Sequence, residues 1–223
     1  MSRLIVFGCS LAYGVGLPDC WPNLSKPSKL SWTNIVAQNF GRKLVNKSRP
    51  GSANKSIWFT INKFKFKPDD VVVISWSYPE RHSIIKSSLT NCPLSIKNLQ
   101  IRNIDHDESS KSYYTDIYGN YDSIVMSKLY IDHANRILLD KGLTVYNLVI
   151  ERKHSLLIGD HNFIPLYMGE YERVYPTALD GDHLGLEGQQ VFASDLMKFL
   201  NGNHSRVNAS KIFFKSLKNM LWK

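Results

Sequence analysis

Three things are scarce in this 223-residue chain, and each scarcity excludes something. Cysteine is the first. Cys9, Cys20 and Cys92 cannot all pair within one chain, and none has metal-ligand spacing. Scattered cysteines of odd number read as free thiols in a reducing compartment. Long apolar runs are the second: no stretch approaches the ~20 residues of a membrane helix. Met1-Ser2-Arg3 leads straight into the first apolar segment, which leaves no room for a signal peptide. Both observations predict a cytoplasmic protein. Acid is the third, with 19 acidic residues against 28 basic ones and a net charge of +9. The shortage is local. From residue 202 onward there is no acid, and Arg206, Lys211, Lys215, Lys218 and Lys223 supply more than half of the excess. The body is mildly basic, which argues against the whole protein being a nucleic-acid binder.

What is present suits one compact domain. Hydrophobic residues make up 43% and charged residues 21%, the proportions of an ordinary globular chain with a sizeable core. Residues 4–7 form an apolar run that reads as a strand. A loop with Pro18, Pro22 and Pro27 follows. Ser31 then stands as a helix N-cap before Trp32, Ile35, Val36 and Phe40, with Gly41 as the stop. Residues 43–46 read as a short strand, and Asn54 opens a helix carrying Ile57, Trp58, Ile61 and Phe64. The β-branched run 71–74 predicts a strand buried on both faces. A helix resumes near Ser123 with Val125, Leu129, Ala134, Ile137 and Leu138. A strand at 144–149 and a helix at 186–200 complete the pattern. Strands alternating with helices predict a parallel sheet with right-handed crossovers. Residues 77–121 show no sustained period and read as an irregular excursion: a lid, a substrate-binding insertion or a disordered stretch. Residues 151–178 read as loop-rich.

Chemistry concentrates at the two ends. A buried strand ending at Gly8 presents Ser10 at the carboxyl edge of a sheet, where open α/β folds place reactive groups. A serine there becomes a nucleophile once a base can reach it. His183 titrates near neutrality and is that kind of base. Asp180 and Asp182 compete to orient its ring. Other clusters are weaker. Asp105-His106-Asp107-Glu108 and Asp160-His161 contain ligand-type residues but no helix-spaced pair, so they read as solvated loops and no metal site is expected. Gly14 and Gly16 do not form a nucleotide fingerprint.

Together the ends resemble the SGNH (GDSL-type) serine hydrolases. Phe7, Gly8, Ser10, Leu11 and Gly14 match that family's opening block, and Asp180 with His183 matches its closing Asp-x-x-His pair. The segment from Asn46 to Gly51-Ser52-Ala53-Asn54 resembles its second block. The third block, Gly-x-Asn-Asp, is replaced here by Trp76-Ser77-Tyr78-Pro79, and Cys9 stands where the family has aspartate. The resemblance implies a flavodoxin-like three-layer α/β/α sandwich with a mostly parallel sheet of about five strands. It implies Ser10 as nucleophile, His183 as base and Asp180 as the orienting acid. The backbone amides of Ser10 and Gly51 would bind the oxyanion. The family's third donor is an asparagine side chain. Tyr78 occupies that place by count, and Asn54 and Ser77 are alternatives. Trp76, Ser77 and Arg81 are candidates for a substrate-binding wall of aromatic rings and a cation.

The expected activity is hydrolysis of a small O-acyl ester, such as an O-acetyl carbohydrate, through an acyl-enzyme, with no cofactor. Two other readings stand beside it: a non-catalytic binding or structural module, and a protein acting on nucleic acid or membrane through its basic tail. In that tail Ile212, Phe213, Phe214, Leu217, Met220, Leu221 and Trp222 recur at near-helical spacing, with lysines on another face. The expected organisation is therefore a domain over 1–201 and a basic amphipathic helix over 202–223. That helix would dock on the domain, self-associate, or lie on a membrane surface.

Overall fold

A computed structural model describes residues 2–86 and 95–202. The tail helix expected beyond residue 202 lies outside them.

Alternation of side chains sets the architecture. In β1 (Arg3–Phe7), Leu4 and Val6 enter one core cluster while Ile5 and Phe7 enter another. β2 (Lys43–Asn46), β3 (Val71–Trp76), β6 (Thr144–Val149) and β7 (Phe163–Tyr167) join β1 in a five-stranded sheet of order β2-β1-β3-β6-β7. Every pairing in it is parallel. The helices α2 (Trp32–Asn39) and α7 (Leu186–Leu200) cover one face, where Trp32, Val36, Phe192 and Leu196 pack against Leu4, Val6 and Val73. The helices α3 (Asn54–Lys63) and α5 (Asn120–Asp140) cover the other, with Ile57, Ile61, Ile131 and Leu138 against Val72 and Ile74. This is the expected three-layer sandwich. The order β2-β1-β3 reverses the direction of winding at β1, and a crevice opens at such a switch point beyond the carboxyl ends of the strands.

The structure corrects the sequence reading in four places. Within 77–121, most of the described residues fall into elements. β4 (His82–Lys86) and β5 (Ser95–Leu99) form an antiparallel pair, followed by the short helix α4 (Glu108–Ser112). Asp107 caps that helix and pairs with Lys97 at 2.7 Å. Five-residue strands with Ser, Asn and Lys on them carry too little apolar alternation to register as strands. Residues 151–178 contain β7 and the helix α6 (Met168–Val174). Pro165 hides the strand, yet β7 is the sheet's edge, where a missing N–H is tolerated. In α5 the buried face includes Ser123, Ser127 and Asn135, whereas Val125 and Leu129 are exposed. Ser127 Oγ accepts a hydrogen bond from Asn54 at 3.1 Å, so small polar residues take the close approach to α3. Ser31 does precede α2, but its hydroxyl donates to Ser28 O. The Trp32 amide is capped instead by Gln189 Oε1 at 2.9 Å.

Candidate active site

Ser10 opens α1 (Ser10–Tyr13), a single turn directly beyond β1, and is 5% exposed. The loop after β2 is tied to the same point, because the Arg49 amide donates to Gly8 O at 3.1 Å. Gly51 in that loop has φ +72°, a conformation glycine adopts readily, and the Gln100 carboxamide covers it where a side chain would sit. No acceptor takes the Gly51 amide among the described residues.

The other end of the chain arrives at the same edge. The Leu179 amide donates to Gly16 O at 3.0 Å. Gly16, at φ +84°, packs against Asp180 so closely that a Cβ there would stand 2.5 Å from Asp180 Oδ1. Asp180 Oδ1 accepts the amides of Asp182 and His183, at 3.2 and 3.1 Å. Its Oδ2 lies 2.6 Å from His183 Nδ1. A carboxylate accepts only, so Nδ1 carries the proton and Nε2 is the nitrogen left with a lone pair to accept one. Burial acts to raise the Asp180 pKa, but the hydrogen bonds from the His183 amide and ring and the Asp182 amide outweigh it and hold the carboxyl below its ordinary value. Asp182 Oδ2 is 4.0 Å from the same ring nitrogen, on a side chain 65% exposed against 7% for Asp180. Geometry therefore pairs His183 with Asp180.

Ser10 and His183 line one pocket of about 190 Å³. Cys9, Leu11, Ile150 and Asp182 line it as well. Cys9 is otherwise a core residue, fully buried in the cluster with Leu11 and Trp32. Tyr78 and Arg81, from the loop beyond β3, form a further wall. The Tyr78 ring sits between the Arg81 guanidinium, 5.0 Å from its centroid, and the His154 ring at 6.0 Å. Burial, with the nearby Glu172 and Glu151, pushes the Tyr78 hydroxyl up to about 12 against the opposing pull of Arg81.

The remaining sequence candidates fall elsewhere. Trp76 is 1% exposed, packs in the α3/α5 layer and donates to Asn147 Oδ1 at 2.8 Å, so it belongs to the scaffold and not to a substrate wall. Asn54 is spent on the loop beyond β3. Its Nδ2 donates to Ser77 O and Ser127 Oγ, and its Oδ1 accepts the Ser77 amide. Both of its hydrogens are used, which removes it as an oxyanion donor. Ser77 is buried and its Oγ accepts from Arg81 at 3.1 Å, so it holds the arginine and does not line the pocket.

Glu172 is the lining residue the sequence did not signal. It comes from α6, whose position depends on the edge strand hidden by Pro165. Burial, with Asp182 and Glu151 nearby, raises its pKa to about 7 despite Arg81 and Arg173.

Comparison with solved structures places this architecture. TesA superposes with a TM-score of 0.57 at 12% identity, over 90% of this chain and 98% of that one. The chain has the SGNH-hydrolase fold. An acetyl xylan esterase, Est2A, from the rumen bacterium Butyrivibrio proteoclasticus gives a TM-score of 0.56 at 11% identity, over 91% of this chain and 64% of that one. A carbohydrate esterase described as having divergent catalytic and non-catalytic binding functions gives 0.57 at 10% identity, over 93% and 66%. Identities this low speak to the fold. No protein-family model and no curated protein matches the sequence. Among the described residues, no helix of this SGNH fold is long and apolar enough to cross a membrane.

Proposed function

We propose that the chain is a serine hydrolase acting on small, polar O-acyl esters. The observation that carries this reading is the convergence of Ser10 and His183 on one small pocket, with Asp180 locked to the far side of the imidazole at 2.6 Å. Ser10 Oγ attacks the acyl carbonyl as His183 Nε2 takes its proton. Asp180 stabilises the imidazolium that forms. The amides of Ser10 and Gly51 donate to the developing oxyanion. Collapse of the intermediate expels the alcohol, which receives the proton from His183. Water then attacks the acyl-enzyme by the same route, and the acid is released.

The walls support this choice of substrate. A volume of about 190 Å³ suits a short acyl group. Tyr78, Arg81, Glu172 and Asp182 offer hydrogen bonds and charge rather than an apolar trough. An O-acetyl carbohydrate meets both conditions, and the carbohydrate esterases that share the fold are consistent with it. Tyr78 in the place of an asparagine donor favours a second reading, a binding module that has lost catalysis.

A fluorophosphonate probe separates the two. The hydrolase reading expects labelling of the wild type at Ser10, none in Ser10→Ala, and faster turnover of acetyl than octanoyl esters. A folded wild type that resists the probe supports the binding module.

A further inference from the structure

Arg81 is the one lysine or arginine among the described residues that line the pocket. Glu172 and Asp182 line it, Asp180 stands behind His183, and the reaction adds another negative charge at the acyl oxygen. Resting on the hydrolase reading, we propose that Arg81 is a catalytic residue that donates to the oxyanion and completes the hole begun by the Ser10 and Gly51 amides.

Several observations converge on this arginine. It lines the same small pocket as Ser10 and His183, and no other lysine or arginine among the described residues does so. The chain turns back beyond β3, with the Arg81 amide donating to Tyr78 O at 3.2 Å, which returns residue 81 to the carboxyl edge of the sheet. Its side chain is held from two sides, by Nη1 donating to Ser77 Oγ at 3.1 Å and by the face of Tyr78 at 5.0 Å. Ser77 is itself fixed by two hydrogen bonds to Asn54, so the tether is anchored in the core. A guanidinium has five N–H donors. Among the described residues Arg81 spends one on Ser77 and forms no ion pair, so its other donors remain open to a ligand.

The alternative role for such a group is to bind an anionic part of the substrate. The walls argue against that. Asp182 borders the same small space, and Glu172 beside it adds a second negative charge as it ionises above about pH 7, so a resident anion meets opposing charge. An oxyanion exists only from attack by Ser10 Oγ until the tetrahedral intermediate collapses, and its charge is balanced by the Ser10 proton held on His183. The carbonyl π pair moves onto oxygen and receives N–H donors from Ser10, Gly51 and Arg81. When it reforms the double bond, the carbon–alkoxide bond breaks and His183 returns the proton to the leaving oxygen. A preorganised cation strengthens that one state without holding the ground state.

The test compares wild type, Arg81→Met and Arg81→Lys on p-nitrophenyl acetate, which carries no anionic group. Thermal melts check folding. Arg81→Met is expected to lower kcat by about 10²–10³-fold with KM changed by less than about threefold, the signature of a lost transition-state donor. Arg81→Lys keeps the charge but not the planar fork, and is expected to retain about a tenth of kcat. Should Arg81→Met fail to fold, the lysine variant carries the test. A kcat at the wild-type level in a folded variant, or a loss confined to KM, overturns the proposal. A wild type that neither hydrolyses the ester nor reacts with the fluorophosphonate overturns the hydrolase reading and this assignment together. An active wild type with an unimpaired Arg81→Met overturns the assignment alone.

Discussion

The two walls of the pocket are built on opposite principles. On the wall made by the chain ends, the polar groups are committed. Asp180 uses both oxygens, on the His183 ring and on two backbone amides, and Gly16 closes against it. On the wall made by Tyr78, Arg81 and Glu172, charged groups act on one another without a direct ion pair among the described residues. Glu172 has its pKa raised to about 7, and Arg81 has no ion pair among the described residues. The first arrangement suits bond making, since groups already in place need no reorganisation at the moment of reaction. The second sets the proposed oxyanion donor, Arg81, beside a carboxyl whose charge state responds to pH.

The sharpest break in this comparison is on the committed wall. His183→Ala is expected to reduce kcat/KM on a short ester by about 10⁴-fold, nearly as much as Ser10→Ala, because such residues act as a unit. Asp180→Asn is expected to cost about 10²–10⁴-fold, since an amide cannot hold the imidazolium as a carboxylate does. Asp182→Asn, on an exposed side chain 4.0 Å from the ring, is expected to leave activity within about threefold. Steady-state kinetics on the purified variants checks all three, and a larger loss at Asp182 than at Asp180 moves the orienting group.

Gly51→Ala probes the seam between the walls at a lower level. The Gln100 carboxamide, whose Nε2 is 2.6 Å from the new Cβ, can swing aside. What remains is a left-handed backbone at φ +72°, a strain of about 1–2 kcal/mol for alanine. A loop that relaxes away from that conformation turns its amide off the oxyanion. The expected result is a kcat lowered by about 10–100-fold with KM little changed. An unaffected kcat removes the Gly51 amide from the reaction.

On the uncommitted wall the expected effect is smaller and depends on pH. Glu172 keeps its proton in the folded chain up to about pH 7, against 4.5 for an ordinary glutamate. Between those values the folded state holds the extra proton, so this group's contribution to stability falls as pH rises from 4.5 to 7 and is constant above. Glu172→Gln removes that loss. It is expected to melt about 2–5 °C above wild type at pH 8 and to show no such gain at pH 4. Ionised Glu172 also opposes the oxyanion. Wild-type kcat should fall by several-fold as Glu172 ionises, and the glutamine variant should lack that fall. Matching melting curves and pH profiles in the two proteins count against a raised Glu172 pKa.

The same contrast explains what was legible in the sequence. β1 and β3 could be read because strands buried on both faces need unbroken apolar runs, and Val71-Val72-Val73-Ile74 is one. The Ser10 turn and the Asp180–His183 turn carry local signals, a glycine after a strand and an acid three residues before a histidine. The uncommitted wall carries none. Glu172 looks like any surface acid of a short helix until β7 positions that helix. Gly16 looks like a loop glycine until Asp180 arrives against it from the far end of the chain. Trp76 misled in the opposite sense. Its place at the end of β3 is the active edge, but side chains alternate along a strand, and its turn falls on the α3/α5 side.

That last residue gives the smallest effect on catalysis and a clean control for the comparison. Trp76 Nε1 donates to Asn147 Oδ1, which also accepts from Asn135, inside a core with almost no water access. Trp76→Phe removes the donor, shrinks the side chain and leaves Asn147 with one hydrogen bond fewer. The expected cost is about 1–3 kcal/mol of stability, from a weakened buried network and a small cavity. Because the ring faces away from Ser10 and takes no part in the pocket, kcat and KM on both acetylated sugars and p-nitrophenyl acetate should stay within about twofold of wild type at temperatures where the variant is folded. Chemical denaturation measures the first quantity and steady-state kinetics the second. A raised KM for the sugar ester alone would return Trp76 to the substrate wall and erase the distinction between scaffold and pocket drawn at the end of β3.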